Sequence, residues 1–282
     1  MTEESQSYNL GTEPPREEDT TGPIPEILTI TSPIYLDLVR VPAGEFLMGS
    51  VATRDEHAQD DEFPPHRVCL PEFHIGRYPI TNVQYAAFVE ATKSSAPQSW
   101  LKDSVTTGKE DHPVVTIRWK EALAFCAWLS EATGRAFRLP TEVEWEKAAR
   151  GTGGRIYPWG DAPPDETLCN FDDKVDGTTP VGRYSPQGDS PYGCAGMAGN
   201  VWEWCRTQYR PYPYQAGDGR EALPADDGRE DPRAYDRRVV RGGSFIYDKR
   251  DVRCAVRHRS NPNHWDWHVG FRVVLAPDPT ER

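Results

Sequence analysis

Apolar and polar positions along the chain change period several times, and each change predicts an element. Leu36-Asp37-Leu38-Val39-Arg40-Val41 nearly alternates and predicts a strand. Pro42-Ala43-Gly44 reads as a turn, and 45–49 as the returning strand of a hairpin. Residues 51–66 are polar and acidic and predict a loop, after which 67–70 and 73–76 read as a second strand pair. The period then becomes helical. Thr81 is an N-cap candidate for a helix over 82–92, with Tyr85, Phe88 and Val89 on one face. Ala122, Phe125, Cys126 and Leu129 predict a helix over 119–133 that Gly134 ends. Pro140 followed by Thr141-Glu142-Val143-Glu144 is a capping-box signature for a third over 141–150.

Beyond Arg150 helical periodicity is lost, and Gly, Pro, Asp and Trp dominate until Val239. Short strands return at 239–245, 252–259 and 270–275, and no repeat of fixed period occurs. The pattern predicts a single α+β domain over 29–282, with short antiparallel strands, two to three helices and much loop.

Composition adds a tail. Residues 1–26 hold seven acids against one Arg and few apolar side chains. Such a segment buries too little surface to offset its ordering entropy, so 1–28 reads as a disordered acidic tail. It supplies half of the net charge of −12, which leaves the folded part nearer neutrality. An acidic chain argues against general nucleic-acid binding. No apolar run is long enough to span a membrane, and the start lacks the basic and apolar regions of a secretory signal. A cytoplasmic location is therefore expected. The six cysteines include no C-x-x-C pair and read as buried thiols rather than a disulfide framework.

Several motifs occur in order. They are Val41-Pro42-Ala43-Gly44-Glu45-Phe46-Leu47-Met48-Gly49-Ser50, Tyr78-Pro79-Ile80-Thr81-Asn82 and Arg138-Leu139-Pro140-Thr141-Glu142-Val143-Glu144-Trp145. Tyr157-Pro158-Trp159-Gly160, Gly199-Asn200-Val201-Trp202-Glu203-Trp204, Arg241-Gly242-Gly243-Ser244-Phe245 and Gly270-Phe271-Arg272 follow. Over 36–275 this set resembles the formylglycine-generating enzyme (sulfatase-modifying factor) superfamily, whose fold is a variant of the C-type lectin fold. The resemblance implies copper chemistry on a pair of cysteines after the R-G-G-S motif. This chain has Tyr247 and Val252 at those positions, and neither replaces a soft thiolate ligand. That argues against copper and against formylglycine generation, which stays the enzymatic alternative. The superfamily's sulfoxide synthases carry an N-terminal three-His metal domain, whereas the segment before the domain here has no His.

The resemblance also implies structural calcium. Its first ligand set matches Asn170, Phe171, Asp173 and Val175; its second matches Gly199, Asn200, Val201 and Glu203. The C-terminal stretch resembles the variable proteins diversified by retroelements, which display a hypervariable face between the R-G-G-S and G-F-R-V motifs. Between Phe245 and Val269, the residues Tyr247, Asp248, Asp251, Val256, His258, Ser260, Asn261, Asn263, His264, Asp266 and His268 are all reachable from an AAC codon by changing adenines alone. Trp265 and Trp267 are reachable from AGG.

Alternation on a strand over 253–260 would place Val256, His258 and Ser260 on one face, and Arg253, Ala255, Arg257 and Arg259 toward the scaffold. The run from Asn263 to His268 would form an aromatic and polar recognition loop. His264, Asp266 and His268 have a metal-like spacing of two, which a recognition loop also explains. Nine Lys and Arg against three Asp over 233–259 would make an anion patch, or internal pairs with acids such as Glu142, Glu144 and Glu203; pairing suits the Arg fork. Trp202 and Trp204 read as core anchors rather than sugar platforms.

The expectation is a non-enzymatic ligand-binding protein with a diversified C-terminal face, recognising a protein or a cell-surface glycan. Its contact residues would be Tyr247, Asp251, Val256, His258, Ser260, His264, Trp265, Asp266, Trp267 and His268. A sensor subunit docking on a partner ATPase or protease through the acidic tail is a further alternative.

Overall fold

The computed structural model describes residues 26–223 and 237–276. Most of the acidic tail lies outside the described residues. The fold begins inside the stretch assigned to it, because Ile27–Ile30 already forms strand β1.

β2 (Leu36–Val41) is held on both sides. β1 pairs Ile27 with Val39 through Ile30 with Leu36, and β5 (Phe73–Gly76) pairs along Leu38 to Val41. No edge of β2 is left for the hairpin expected of 45–49. The chain turns away at Gly44, whose φ of +129° suits glycine, and β3 (Gly44–Met48) pairs instead with β4 (His66–Leu70) in a separate ribbon. β4 and β5 are therefore not partners of each other, as the pattern had suggested.

The helices form where their caps lie. In α1 (Asn82–Thr92), Gln84 N–H donates to Thr81 Oγ1 at 3.3 Å while Gln84 Oε1 accepts from Thr81 N–H at 2.9 Å. α2 (Trp119–Thr133) ends on Gly134 at φ +68°. α3 (Glu142–Arg150) opens with the Thr141–Glu144 capping box, and the Arg138 guanidinium grips the same Glu144 carboxylate at 2.5 and 2.6 Å. Every residue of α3 is buried, although five of the nine are charged.

The remaining strands are short. β11 (Val274–Leu275) lies between β5 and β6 (Phe137–Arg138) and closes a five-stranded sheet in the order β1-β2-β5-β11-β6. β7 (Trp202–Gln208), β8 (Arg238–Arg241), β9 (Arg257–Ser260) and β10 (Val269–Gly270) form a second sheet in the order β10-β7-β8-β9. Alternation along β2 feeds two cores. Leu36 and Leu38 pack with Tyr85, Phe125, Trp204 and Phe271; Val39 and Val41 pack with Trp145, Ile75 and Val274. The predicted strand over 252–259 shrinks to Arg257–Ser260. Residues 252–256 are all buried, without alternation, and the buried Arg241 guanidinium donates to the carbonyls of Ala255 and Val256.

Arg side chains hold these layers together. Arg272 donates to both Glu203 oxygens at 2.6 and 2.7 Å and to Gly76 and Ala195 carbonyls at 2.9 Å, while Trp145 Nε1 donates to the same Glu203 at 2.9 Å. Arg257 grips Glu142 at 2.6 and 2.9 Å, and Arg241 pairs with Glu146. Arg253 reaches Asp55 at 2.6 Å and Glu62 at 2.7 Å. Internal pairing thus accounts for these arginines, as the Arg-fork argument anticipated.

Two outcomes are expected. Replacing Arg272 by Ala strands a buried carboxylate, which costs about 3–5 kcal/mol; at about 2–4 °C per kcal/mol for a domain of this size, Tm falls by roughly 6–20 °C. An unchanged Tm by calorimetry would contradict the pairing. Burial pushes the Glu142 and Glu144 carboxyls up, but Arg257 and Arg241 for the first, and Arg138 for the second, outweigh it and hold both below the ordinary 4.5. Depressed folded values give stability that is present above the unfolded pKa and lost as pH falls through the folded one. Tm should therefore hold between neutrality and about pH 5 and drop steeply below it, and a flat profile down to acid pH would count against this.

Candidate functional site

The C-terminal segment is displayed from a braced turn. Gly242 and Gly243 take φ of +101° and +73° and end β8. A Cβ on Gly243 would lie 2.6 Å from Asp251 O and 2.7 Å from a Val252 methyl, so the returning chain packs directly on it. The loop at 170–175 supports this turn from below. Asp172 N–H donates to Tyr247 C=O at 2.8 Å and Asp173 N–H to Phe245 C=O at 2.7 Å, both from left-handed backbone. Asn200 links the two, receiving Phe245 N–H on its C=O and giving its own N–H to Asn170 C=O.

Above the turn lies an aromatic and imidazole cluster. Tyr247 stands edge-on to Trp202 at 5.4 Å and contacts His268 at 5.9 Å. His258 lies 5.6 Å from Trp202, and Trp267 bridges His268 at 5.3 Å and Phe245 at 5.2 Å. His268 Nδ1 is buried without a hydrogen-bond partner, whereas the Trp202 indole interacts with the Tyr247 phenol. Burial pushes both imidazoles below 6.5, with Arg259 adding to the effect on His258 and His258 to that on His268. Both rings are therefore neutral at neutral pH and can donate or accept. Burial raises the Tyr247 phenol, which keeps it protonated.

Placement of the expected contact residues is mixed. Tyr247, His258, Trp267 and His268 come together in the cluster; Ser260 lies further along β9. Val256 is 1% exposed and belongs to the core, so it cannot be a contact residue; Arg259 is exposed rather than turned to the scaffold. Both departures follow from the strand starting only at Arg257. Asp251 accepts from Gln59 at 3.4 Å beside the turn. His264 is exposed in a turn closed by its N–H to Asn261 C=O, so the spacing of two does not gather His264, Asp266 and His268 on one strand face. No group of three or more metal-ligating His, Cys, Asp or Glu occurs among the described residues. Trp265 faces away from the cluster, toward a cleft beside α2. Ile246, 37% exposed at the centre of the turn, was not anticipated, because an isolated Ile beside a motif carries no sequence signal of exposure.

The ligand sets implied by resemblance fit unequally. Asn170 Oδ1 is buried and unpartnered and Asp173 is exposed, so the first set offers free oxygens to a hard cation. In the second, both Glu203 oxygens are taken by Arg272, and Asn200 Oδ1 and Nδ2 are bonded to Thr179 N–H and C=O; this set does not fit calcium. At the positions of the copper-binding thiols, Tyr247 is an aromatic wall and Val252 is fully buried. Cys254 is buried too, its thiol pushed up to about 12 by burial, and is no accessible thiolate. Five of the cysteines are buried as expected, whereas Cys69 is exposed on β4. Trp202 and Trp204 are core residues at 2% and 0% exposure.

A family model for the sulfatase-modifying factor enzyme 1-like domain matches residues 31–277. The hercynine oxygenase of Mycolicibacterium smegmatis is 34% identical, over 84% of this chain and 60% of that one. The formylglycine-generating enzyme of Streptomyces coelicolor is 33% identical, over 86% and 90%. The serine/threonine-protein kinase Pkn1 of Chlamydia trachomatis is 34% identical, over 86% of this chain but 38% of its own. The chain thus spans less than two thirds of the oxygenase and well under half of the kinase. Among solved structures, PvdO from Pseudomonas aeruginosa superposes with a TM-score of 0.72 at 24% identity, over 89% of this chain and 98% of that one. Treponema denticola variable protein 1 superposes at 0.68 and 21%, over 90% and 100%. These two likenesses are of fold. No helix among the described residues is long and apolar enough to cross a membrane. By sequence over nearly all of the described fold, and by its C-type-lectin-like α+β architecture, the chain belongs to the sulfatase-modifying factor enzyme 1-like family.

Proposed function

We propose that this chain is a non-enzymatic ligand-binding protein, which recognises a protein or a cell-surface glycan through the turn at 245–247 and the loop at 263–268. The observation that carries this reading is the exposure of Ile246 and Trp267, at 37% and 52%, around a cluster in which an imidazole nitrogen of His268 has no partner. Exposed apolar groups gathered around unpaired polar atoms mark binding surfaces more than surface noise. Trp and Tyr supply rigid contact area, and the neutral imidazoles supply adaptable hydrogen bonds. The replacement of the family's thiol pair by Tyr247 and Val252 removes the soft ligands that copper(I) chemistry uses. Calcium in the loop of Asn170, Phe171, Asp173 and Val175 would stiffen the support under Tyr247, a structural role.

The first test measures both classes of activity. Copper(I)-loaded protein given oxygen and a cysteine-containing sulfatase peptide should yield no formylglycine; turnover would overturn the reading. On protein and glycan arrays the wild type should retain a ligand that Trp267→Ala loses by about tenfold or more in Kd, equivalent to at least about 1.4 kcal/mol, with Tm unchanged. A Trp267→Ala protein that unfolds would instead make Trp267 a core residue. Sequencing the surrounding DNA tests diversification itself: a near-copy of codons 245–269 differing at adenines, beside a reverse transcriptase, is expected.

Calcium is tested separately. At about a hundredfold excess over Kd a ligand stabilises by about 2.7 kcal/mol, so calcium should raise Tm of the wild type and leave Asn170→Ala unmoved. Equal behaviour of the two proteins would remove the site.

A further inference from the structure

Trp265 does not join the cluster around Tyr247. Its ring borders a second depression, whose floor is Tyr85, Ala96, Pro97 and Ile117 and whose rim is polar. We infer that this cleft binds one neutral hexose-type sugar ring, stacked on Trp265 and hydrogen-bonded by Gln98, Ser95 and the Arg118–Glu121 pair. The inference deepens the ligand-binding reading by naming a ligand class for a site beside the face.

Three observations converge. Trp265 is 36% exposed and lines the cleft. An indole offers a flat apolar face that suits the C–H face of a pyranose, with polar groups at its edge. The charges on the rim cancel: Arg118 N–H and Nη1 donate to Glu121 at 2.6 and 3.2 Å, one cation against one anion. A neutral polyhydroxyl ring suits that rim, since its hydroxyls both donate and accept, whereas an ionic ligand would have to displace one partner of the pair. Gln98 and Ser95 are exposed and make no side-chain hydrogen bond among the described residues.

Part of the backbone around the cleft is already paired. Main-chain recognition needs unpaired N–H and C=O groups. Here Ser99 N–H donates to Thr116 Oγ1, Thr116 N–H to Asp266 C=O and Arg118 N–H to Glu121. The Pro97 carbonyl accepts from Trp100, Ile117 from Trp204 Nε1, and Arg118 from Glu121 and Ala122. The main-chain groups of Ser95, Ala96 and Gln98 are not among these bonds, so the hexapeptide control below separates a peptide from a sugar.

Thr116 also fixes the platform. It is a buried β-branched residue at φ +61°, a conformation such residues rarely adopt. In that conformation its N–H reaches Asp266 C=O at 3.1 Å, one residue beyond Trp265, and this clasps the recognition loop to the cleft wall.

Saturation-transfer NMR on the full chain tests the inference with methyl glycosides of glucose, galactose, mannose and N-acetylglucosamine, with sialic acid and an extended hexapeptide as controls. At least one neutral glycoside should bind. Trp265→Ala should weaken it by about tenfold or more, Trp265→Phe should retain part of it and Gln98→Ala should weaken it relative to wild type. Trp267→Ala should leave it unchanged. Absence of binding by every neutral glycoside, binding that Trp265→Ala does not alter, or Trp265-dependent binding of the peptide or sialic acid alone would each overturn the inference. Loss of an array ligand on Trp267→Ala without glycoside binding would sink the cleft and keep the face; glycoside binding with no Trp267-dependent ligand would do the reverse.

Discussion

The buried Arg272–Glu203 pair is the constraint on which the layers depend. One guanidinium joins β7, through Glu203, to the Gly76 carbonyl at the end of β5 and to the Ala195 carbonyl of the irregular middle. Trp145 of α3 donates to the same carboxylate. A chain with this much loop has few long ladders to set its layers in register. Directional, bidentate ion pairs do that work, because the Arg fork accepts only a narrow range of geometries. Such pairs add less to net stability than to specificity of arrangement, but removing one partner is costly.

The same logic explains α3. A helix of mixed charge is normally half exposed, yet here Glu142, Glu144 and Glu146 each meet an Arg from another segment. α3 becomes a rod of fixed anchors beneath the C-terminal strands. Arg241 and Arg257, on β8 and β9, are pinned by it, and this positions the turn at 245–247 and the edge residue His258. The side chains over the turn touch solvent and one another, while the backbone that carries them is held by the scaffold.

The surface of the C-terminal segment is divided by its own loop. Asp266 C=O is clasped by Thr116, and His268 C=O receives Trp202 N–H, so the segment between them is tied at both ends. Trp265 is thereby turned to the cleft beside α2 and Trp267 to the cluster over Phe245. One stretch of sequence serves two surfaces of different chemistry. The first is a polar cleft with an indole wall; the second is an aromatic patch with an unpaired imidazole nitrogen.

Local signals determined the helices. Thr81, Gly134 and the Thr141–Glu144 box are short-range devices whose hydrogen bonds close within one turn, so sequence alone placed α1, α2 and α3. The ordered motifs likewise determined the family, and the abundance of Arg near β8 and β9 foretold internal pairing with Glu142, whereas Glu144 and Glu203 are paired by Arg138 and Arg272 from outside that stretch. Strand partnership was different. The segment 45–49 looked like the return of a hairpin, but β1 and β5 already occupy both edges of β2, which no local pattern reveals. The assignment of Val256 to the display face failed because Arg241 holds the carbonyls of Ala255 and Val256 and delays the strand to Arg257. Glu203 read as a cation ligand until the fold brought Arg272, distant in sequence, onto both of its oxygens. Sequence therefore determined what is decided within a few residues. Tertiary structure decided which edges, charges and faces remained free, because each of those depends on what distant segments have already taken.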